Sequence, residues 1–167
     1  MTASSSAATG ARPLAAPTPR LNFQAVAPEL YKAQAGINAL LNQSSLGIQL
    51  LELVFLRVSQ INGCAYCLDM HVRDLRKQGE GWQRINSLAT WREVSFFNER
   101  ERAALAWAES LTRLADSHNE REAEFAALKA QFSDVEIAEL TVAVAQINTW
   151  NRINVGMRMP VAVKALD

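Results

Sequence analysis

Apolar residues recur through most of the chain at helical spacing, three or four positions apart. Residues 28–41 follow this spacing up to a polar stop at 42–45, which predicts a first amphipathic helix. Residues 46–61 are far more apolar and run into Gly63, a residue type that readily takes up a helix-ending conformation. We therefore expect a second helix that is buried.

The same pattern, divided by glycines and polar turns, predicts further helices toward the carboxyl end. They are expected from Cys64 to the break at Gly79, and over 82–91, 98–115, 120–132 and 134 to about 155. Ser133 and Glu136 have the spacing of a capping box at the start of the last helix. No segment shows convincing strand alternation, so the sequence predicts an all-α bundle of roughly six to seven helices.

Length and charge set limits on organisation and partners. The 167 residues suit one helical domain over 23–167, preceded by a flexible tail at 1–22. Basic and acidic residues, 17 of each, cancel, which gives no electrostatic reason to expect nucleic acid or an anionic membrane as partner. No stretch is long and apolar enough to span a bilayer, so we expect a cytoplasmic protein, with an organellar transit peptide as the open alternative.

The two cysteines are the strongest candidates for chemistry. They are spaced as C-x-x-C, too close in sequence to staple a fold of this size, a pattern that suits a reducing compartment. Cys64, Cys67 and His71 are three and four positions apart, so they share one face if a helix begins at Cys64. The helix N-terminus favours thiolate over thiol, and His71 can accept the proton. Such a dithiol can pass from thiolate to sulfenic acid to disulfide.

Glu52 is a further candidate because it interrupts a run of large apolar residues. A carboxyl there is expected to be poorly solvated, which suits a proton relay with His71.

Two segments, 46–61 and 138–147, are apolar on more than one face. We therefore expect them at the centre of the bundle or in an interface between subunits of a homo-oligomer.

Residues 52–71, with Glu52, the run from Ser59 to Cys67, and His71, resemble the core signature of the AhpD-like alkylhydroperoxidases of the carboxymuconolactone decarboxylase superfamily. Segments 99–107 and 148–152 are similar to single-core members more loosely. The resemblance implies an AhpD-like helical bundle that forms dimers, trimers or hexamers and needs no metal or organic cofactor.

The resemblance also implies an activity and a set of roles. The activity is reduction of organic hydroperoxides, with Cys67 attacking, Cys64 resolving, and Glu52 and His71 relaying the proton. The reductant is an external dithiol, which in the family can be a lipoylated protein. Tyr66 stands where well-described members have a second histidine. The helix N-terminus favours Cys64 as the more acidic thiol, so the identity of the attacking sulfur stays open.

Other interpretations of the same residues remain. Cys64, Cys67 and His71 could ligate zinc with His118 or Glu52, although structural zinc usually has a second ligand pair nearby in sequence. The chain could be a lactone decarboxylase, as other superfamily members are, or a non-enzymatic dithiol redox sensor. The charged run 98–102 is interpreted as a solvated helical turn with local ion pairs, and the four tryptophans as core or interface packing.

Overall fold

The fold is described from a computed structural model for residues 14–15, 17–116 and 121–163, and within them every regular element is helical. The predicted all-α class is therefore confirmed. The α-helices are α1 Phe23–Val26, α2 Pro28–Leu41, α3 Ile48–Asn62, α4 Ala65–Lys77, α5 Trp82–Ser87, α6 Glu99–Thr112, α7 Glu122–Lys129 and α8 Asp134–Met157, and a 3-10 helix spans Leu88–Glu93.

Helix α3 lies at the centre, as its apolar sequence predicts. It packs against α4, α6 and α8, and Leu51, Leu53 and Val58 are fully buried. Two apolar clusters lie on its two sides. One is shared mainly with α6 and α8, and the other with α4, α5 and the 3-10 helix. Because α3 is apolar on more than one face, burial on both sides removes most of its side-chain surface from water.

Local sequence signals set the helix ends where they were expected. Ser133 and Glu136 form the predicted capping box at the start of α8. Gly63 ends α3 with φ +66°, in the left-handed region that favours glycine. The chain therefore turns sharply between α3 and α4, directly before the first cysteine.

Three sequence expectations need correction. The short helix α1 was not predicted, and the segment 82–91 is a short α-helix followed by the 3-10 helix, with Thr90 in a non-helical conformation. The ion pairs of the charged run 98–102 are not local. Arg100 pairs with Glu136 on α8, and Glu101 pairs with Arg84 on α5. Tertiary packing places these partners near, which sequence spacing cannot show.

A buried carboxylate ties α6 to α3 and to the 3-10 helix. Glu109 accepts hydrogen bonds from Arg57 Nε at 2.6 Å, from Trp91 Nε1 at 2.9 Å and from Arg92. Burial of the carboxyl raises the pKa of Glu109, but the hydrogen bonds from Arg92, Trp91 and Arg57 outweigh it and lower that pKa. Arg57 is itself buried, so removing either charge would leave the other buried without that partner.

Across the described ranges, we find no helix with the length and apolarity needed to cross a bilayer.

Candidate active site

The two cysteines lie at the start of α4 and are joined by a disulfide bond. Cys64 is the N-cap residue, and its Sγ accepts a hydrogen bond from the backbone N–H of Cys67 at 3.3 Å. The Cα atoms of the pair are 5.3 Å apart, within the range for a disulfide. Both residues are buried. The Cys64 sulfur therefore accepts from an amide of the first helical turn and lies at the positive end of the helix dipole. Both features favour a thiolate when the pair is reduced.

The expected contact between Glu52 and His71 is present. Glu52 Oε2 lies 2.7 Å from Nδ1 of His71, and the two residues are only 7% and 4% exposed. An ionised carboxylate can only accept, so with Glu52 ionised Nδ1 of His71 is the donor, and in the neutral imidazole Nε2 is then the nitrogen with a free lone pair. Nε2 is buried and has no hydrogen-bond partner among the described residues. The Phe55 ring packs against the imidazole, with ring centroids 5.3 Å apart.

Asn154 is a member of the site that the sequence interpretation missed. Its Nδ2 donates to Sγ of Cys67 at 3.4 Å, across the packing of α8 against α4. The signal that could have found it is the repeat of asparagines at 148, 151 and 154, three residues apart. This spacing places three amides on one face of α8, where polar groups need partners.

The other two asparagines hold the end of α3. Asn62 Nδ2 donates to Oδ1 of Asn148 at 2.9 Å and to Oδ1 of Asn151 at 2.8 Å. Asn151 in turn donates to the Ser59 hydroxyl at 3.0 Å, and the Ser59 carbonyl accepts from the backbone N–H of Cys64 at 3.1 Å. This chain of hydrogen bonds fixes the turn that presents the cysteines.

A cavity of about 330 Å³ adjoins the site. It lies between α1, α2, α4 and α8, and both His71 and Asn154 line it, whereas neither cysteine does. Asn154 thus lies between the cavity and Cys67. Trp150 packs against the core, as predicted, and also forms part of the cavity wall. Tyr66, which replaces the second histidine of the family signature, lies in the same wall.

Metal ligation was the main alternative use of these residues. Within residues 14–15, 17–116 and 121–163, no group of three or more histidine, cysteine, aspartate and glutamate side chains is placed to hold a metal ion. His118, the fourth ligand considered, lies outside the described residues. In the structure Glu52 Oε2 instead bonds His71 Nδ1, and the cysteines bond each other.

The fold and the site define an all-helical protein with a buried C-x-x-C disulfide beside a Glu–His pair. Residues 28–110 match the carboxymuconolactone decarboxylase family. The chain is 37% identical over 138 residues to the uncharacterized protein YdfG of Bacillus subtilis, covering 83% of this chain and 93% of YdfG. It therefore belongs to the carboxymuconolactone decarboxylase family.

Solved structures agree with this membership. A protein of unknown function from Agrobacterium tumefaciens, described as a candidate AhpD antioxidant defence protein, is 41% identical with a TM-score of 0.84, covering 88% of this chain and all of that one. An uncharacterized peroxidase-related protein from Silicibacter sp. TM1040 is 26% identical with a TM-score of 0.71, covering 81% and 72% of the two chains. The fold is AhpD-like, and the family setting and the disulfide support a redox role.

Proposed function

We propose that the protein is a thiol-dependent peroxidase that reduces organic hydroperoxides by cycling Cys64 and Cys67 between dithiol and disulfide. The observation that carries the proposal is the position of this buried disulfide, on the same helix as His71 of the Glu52–His71 pair and separated from the cavity by Asn154. Antioxidant and peroxidase-related names among the similar structures are consistent with it.

In the first step, the Cys67 thiolate attacks the terminal oxygen of the hydroperoxide. The proton of the Cys67 thiol passes to His71 Nε2 as the thiolate forms. An S–O bond then forms, the O–O bond breaks, and the alkoxide leaves as an alcohol after taking that proton from His71. Glu52 keeps the imidazole in the tautomer that presents Nε2 and stabilises its charge when it holds an extra proton. Asn154 supports Cys67 as the attacking sulfur, since its amide donor contacts Cys67 on the side nearest the cavity.

In the second step, the Cys64 thiolate attacks the Cys67 sulfenic acid. The S–S bond forms, the S–O bond breaks, and hydroxide leaves as water with the proton that the Cys64 thiol released. An external dithiol, such as the lipoyl group of a protein partner, then reduces the disulfide through a mixed disulfide and is itself oxidised. The net reaction converts hydroperoxide and dithiol into alcohol, water and a new disulfide.

The test compares Cys67→Ser with Cys64→Ser, which change the same functional group at opposite ends of one bond. Neither variant should turn over cumene hydroperoxide with excess dithiol. After one equivalent of peroxide, Cys64→Ser should carry a sulfenic acid that dimedone traps, detectable by mass spectrometry, whereas Cys67→Ser should not. The reverse labelling would make Cys64 the attacking residue.

Retained turnover in Cys67→Ser would refute the proposal.

The two other interpretations, a dithiol sensor and a lactone decarboxylase, predict different results. A dithiol sensor would change its assembly on oxidation without multiple turnover, and a lactone decarboxylase would retain lactone turnover in the double Cys→Ala protein. Light scattering on the reduced and oxidised wild type measures the proposed homo-oligomer at the same time, and a clean monomer mass would contradict it.

A further inference from the structure

The cavity beside His71 has an unusual lining because it contains no Asp, Glu, Lys or Arg. Its walls are mainly aromatic rings and methionines, among them Tyr31, Phe55, Trp150 and Met157. A volume of about 330 Å³ lies at the small end of the range for organic ligands. Flat rings and flexible thioethers suit an apolar, compact molecule.

Three of the amide side chains in the wall already have hydrogen-bond partners. Asn38 Oδ1 accepts from Gln146 Nε2 at 2.7 Å and from Trp150 Nε1 at 2.9 Å, and Gln146 also donates to a backbone carbonyl of α2. Asn154 donates to Cys67. Among the side chains that line the cavity, His71 Nε2 is the buried polar atom that lacks a partner among the described residues. The site therefore offers one principal polar anchor at the end where the chemistry would occur.

The surrounding charges disfavour an anion. Glu52 lies directly behind His71. Three arginines close in sequence to lining residues, Arg20, Arg152 and Arg158, do not line the cavity themselves. Arg20 instead donates to the carbonyl of Gly156 at the end of α8. A carboxylate placed in the cavity would lose its hydration without gaining a cation, which is strongly unfavourable.

We infer that this cavity binds the organic body of an uncharged hydroperoxide, with the peroxide group at His71 Nε2, and that it discriminates against substrates carrying a carboxylate. The inference rests on the proposed peroxidase function and names its substrate class. It also makes a statement about binding alone, which can be tested without turnover.

The binding test uses the oxidised protein and unreactive alcohols that have the shape of the product. Cumyl alcohol, its para-carboxylated form and the methyl ester of that acid are titrated at neutral pH, with affinity measured by calorimetry and by Trp150-dependent fluorescence. We expect the alcohol and the ester to bind, and the acid to bind about tenfold more weakly or worse. The acid and the ester share one framework, so charge is the main difference between them.

Two variants show whether binding occurs in this cavity. Ala35 lines it on α2, whereas Ala33 is exposed on the same helix, so Ala35→Leu should weaken ester binding and Ala33→Leu should not. Gln24→Arg places a cation at an exposed lining position and should restore binding of the acid, because an arginine can pair with a carboxylate. The exposed site makes this second variant tolerable for folding.

Equal affinities for acid and ester, or equal effects of the two leucine variants, would overturn the inference. So would a failure of all three ligands to bind, as expected if a second copy of the chain filled the cavity. Selective binding of the ester without hydroperoxide turnover in the reduced protein would support the cavity assignment and refute the peroxidase proposal. Turnover that is equally fast for acid and ester hydroperoxides would support the peroxidase and refute this inference.

Discussion

Replacing Glu52 with glutamine tests the proton relay between Glu52 and His71. The substitution keeps the size of the side chain and removes the charge that faces His71 Nδ1 at 2.7 Å. An amide can still accept a hydrogen bond from Nδ1–H. It can also turn and donate, which would favour the other tautomer and leave Nε2 protonated. In both cases the imidazolium that forms during proton transfer loses its adjacent anion.

The size of the effect follows from the kind of bond that is lost. A hydrogen bond to a charged group contributes about 1.5–3 kcal/mol, and burial of both partners puts this pair toward the upper end. At about 1.4 kcal/mol for each factor of ten, 3 kcal/mol corresponds to roughly 100-fold in rate. We therefore expect Glu52→Gln to lower kcat/KM for cumene hydroperoxide by about two orders of magnitude, within the range for general acid–base catalysis.

The assay measures kcat/KM and the single-turnover rate of thiol oxidation, with circular dichroism to check the fold. Glu93→Gln is the matched control, since Glu93 is exposed on the 3-10 helix and remote from the cysteines in sequence. A double variant with His71→Asn separates a relay from a structural role. If Glu52 acts through His71, the double variant should be little slower than His71→Asn alone.

The relay would be refuted if Glu52→Gln lowered kcat/KM by less than about threefold. It would also be refuted if the losses from Glu52→Gln and His71→Asn multiplied in the double variant.

Three further perturbations test other parts of the structure. Asn154→Leu should slow peroxide attack by about tenfold, because the Cys67 thiolate loses an amide donor, and stopped-flow thiol oxidation that matches wild type would contradict this. Glu109→Gln should lower the free energy of unfolding at neutral pH by about 3 kcal/mol in urea denaturation, whereas Glu93→Gln should change it by less than about 0.5 kcal/mol. Since the pKa of Glu109 is lowered, the stabilisation by its carboxylate is complete above the ordinary value of 4.5 and is lost as pH falls through the folded-state pKa. A difference in unfolding free energy between wild type and Glu109→Gln that grows in acid would contradict this. Gly63→Ala should cost about 1–2 kcal/mol, because its φ of +66° is unfavourable for a residue with a Cβ, and an unchanged urea midpoint would count against that strain.

Much of the fold follows from local patterns in the sequence. Apolar spacing predicted the long helices, the apolar composition of residues 46–61 predicted the burial of α3, and capping residues predicted the start of α8. These features succeed because helix periodicity and capping act over three or four residues. The charged run 98–102 shows the limit, since its partners Arg84 and Glu136 are distant in sequence.

The candidate site divides in the same way. The sequence by itself brought together Cys64, Cys67 and His71, since offsets of three and four residues place them on one face of one helix. Glu52 was added by its setting and by family resemblance. Asn154, the cavity and the single free nitrogen of His71 were decided only by the tertiary structure. They depend on how α8 packs against α4 and how α1 and α2 cover them, and no local spacing encodes a contact between residues 87 positions apart.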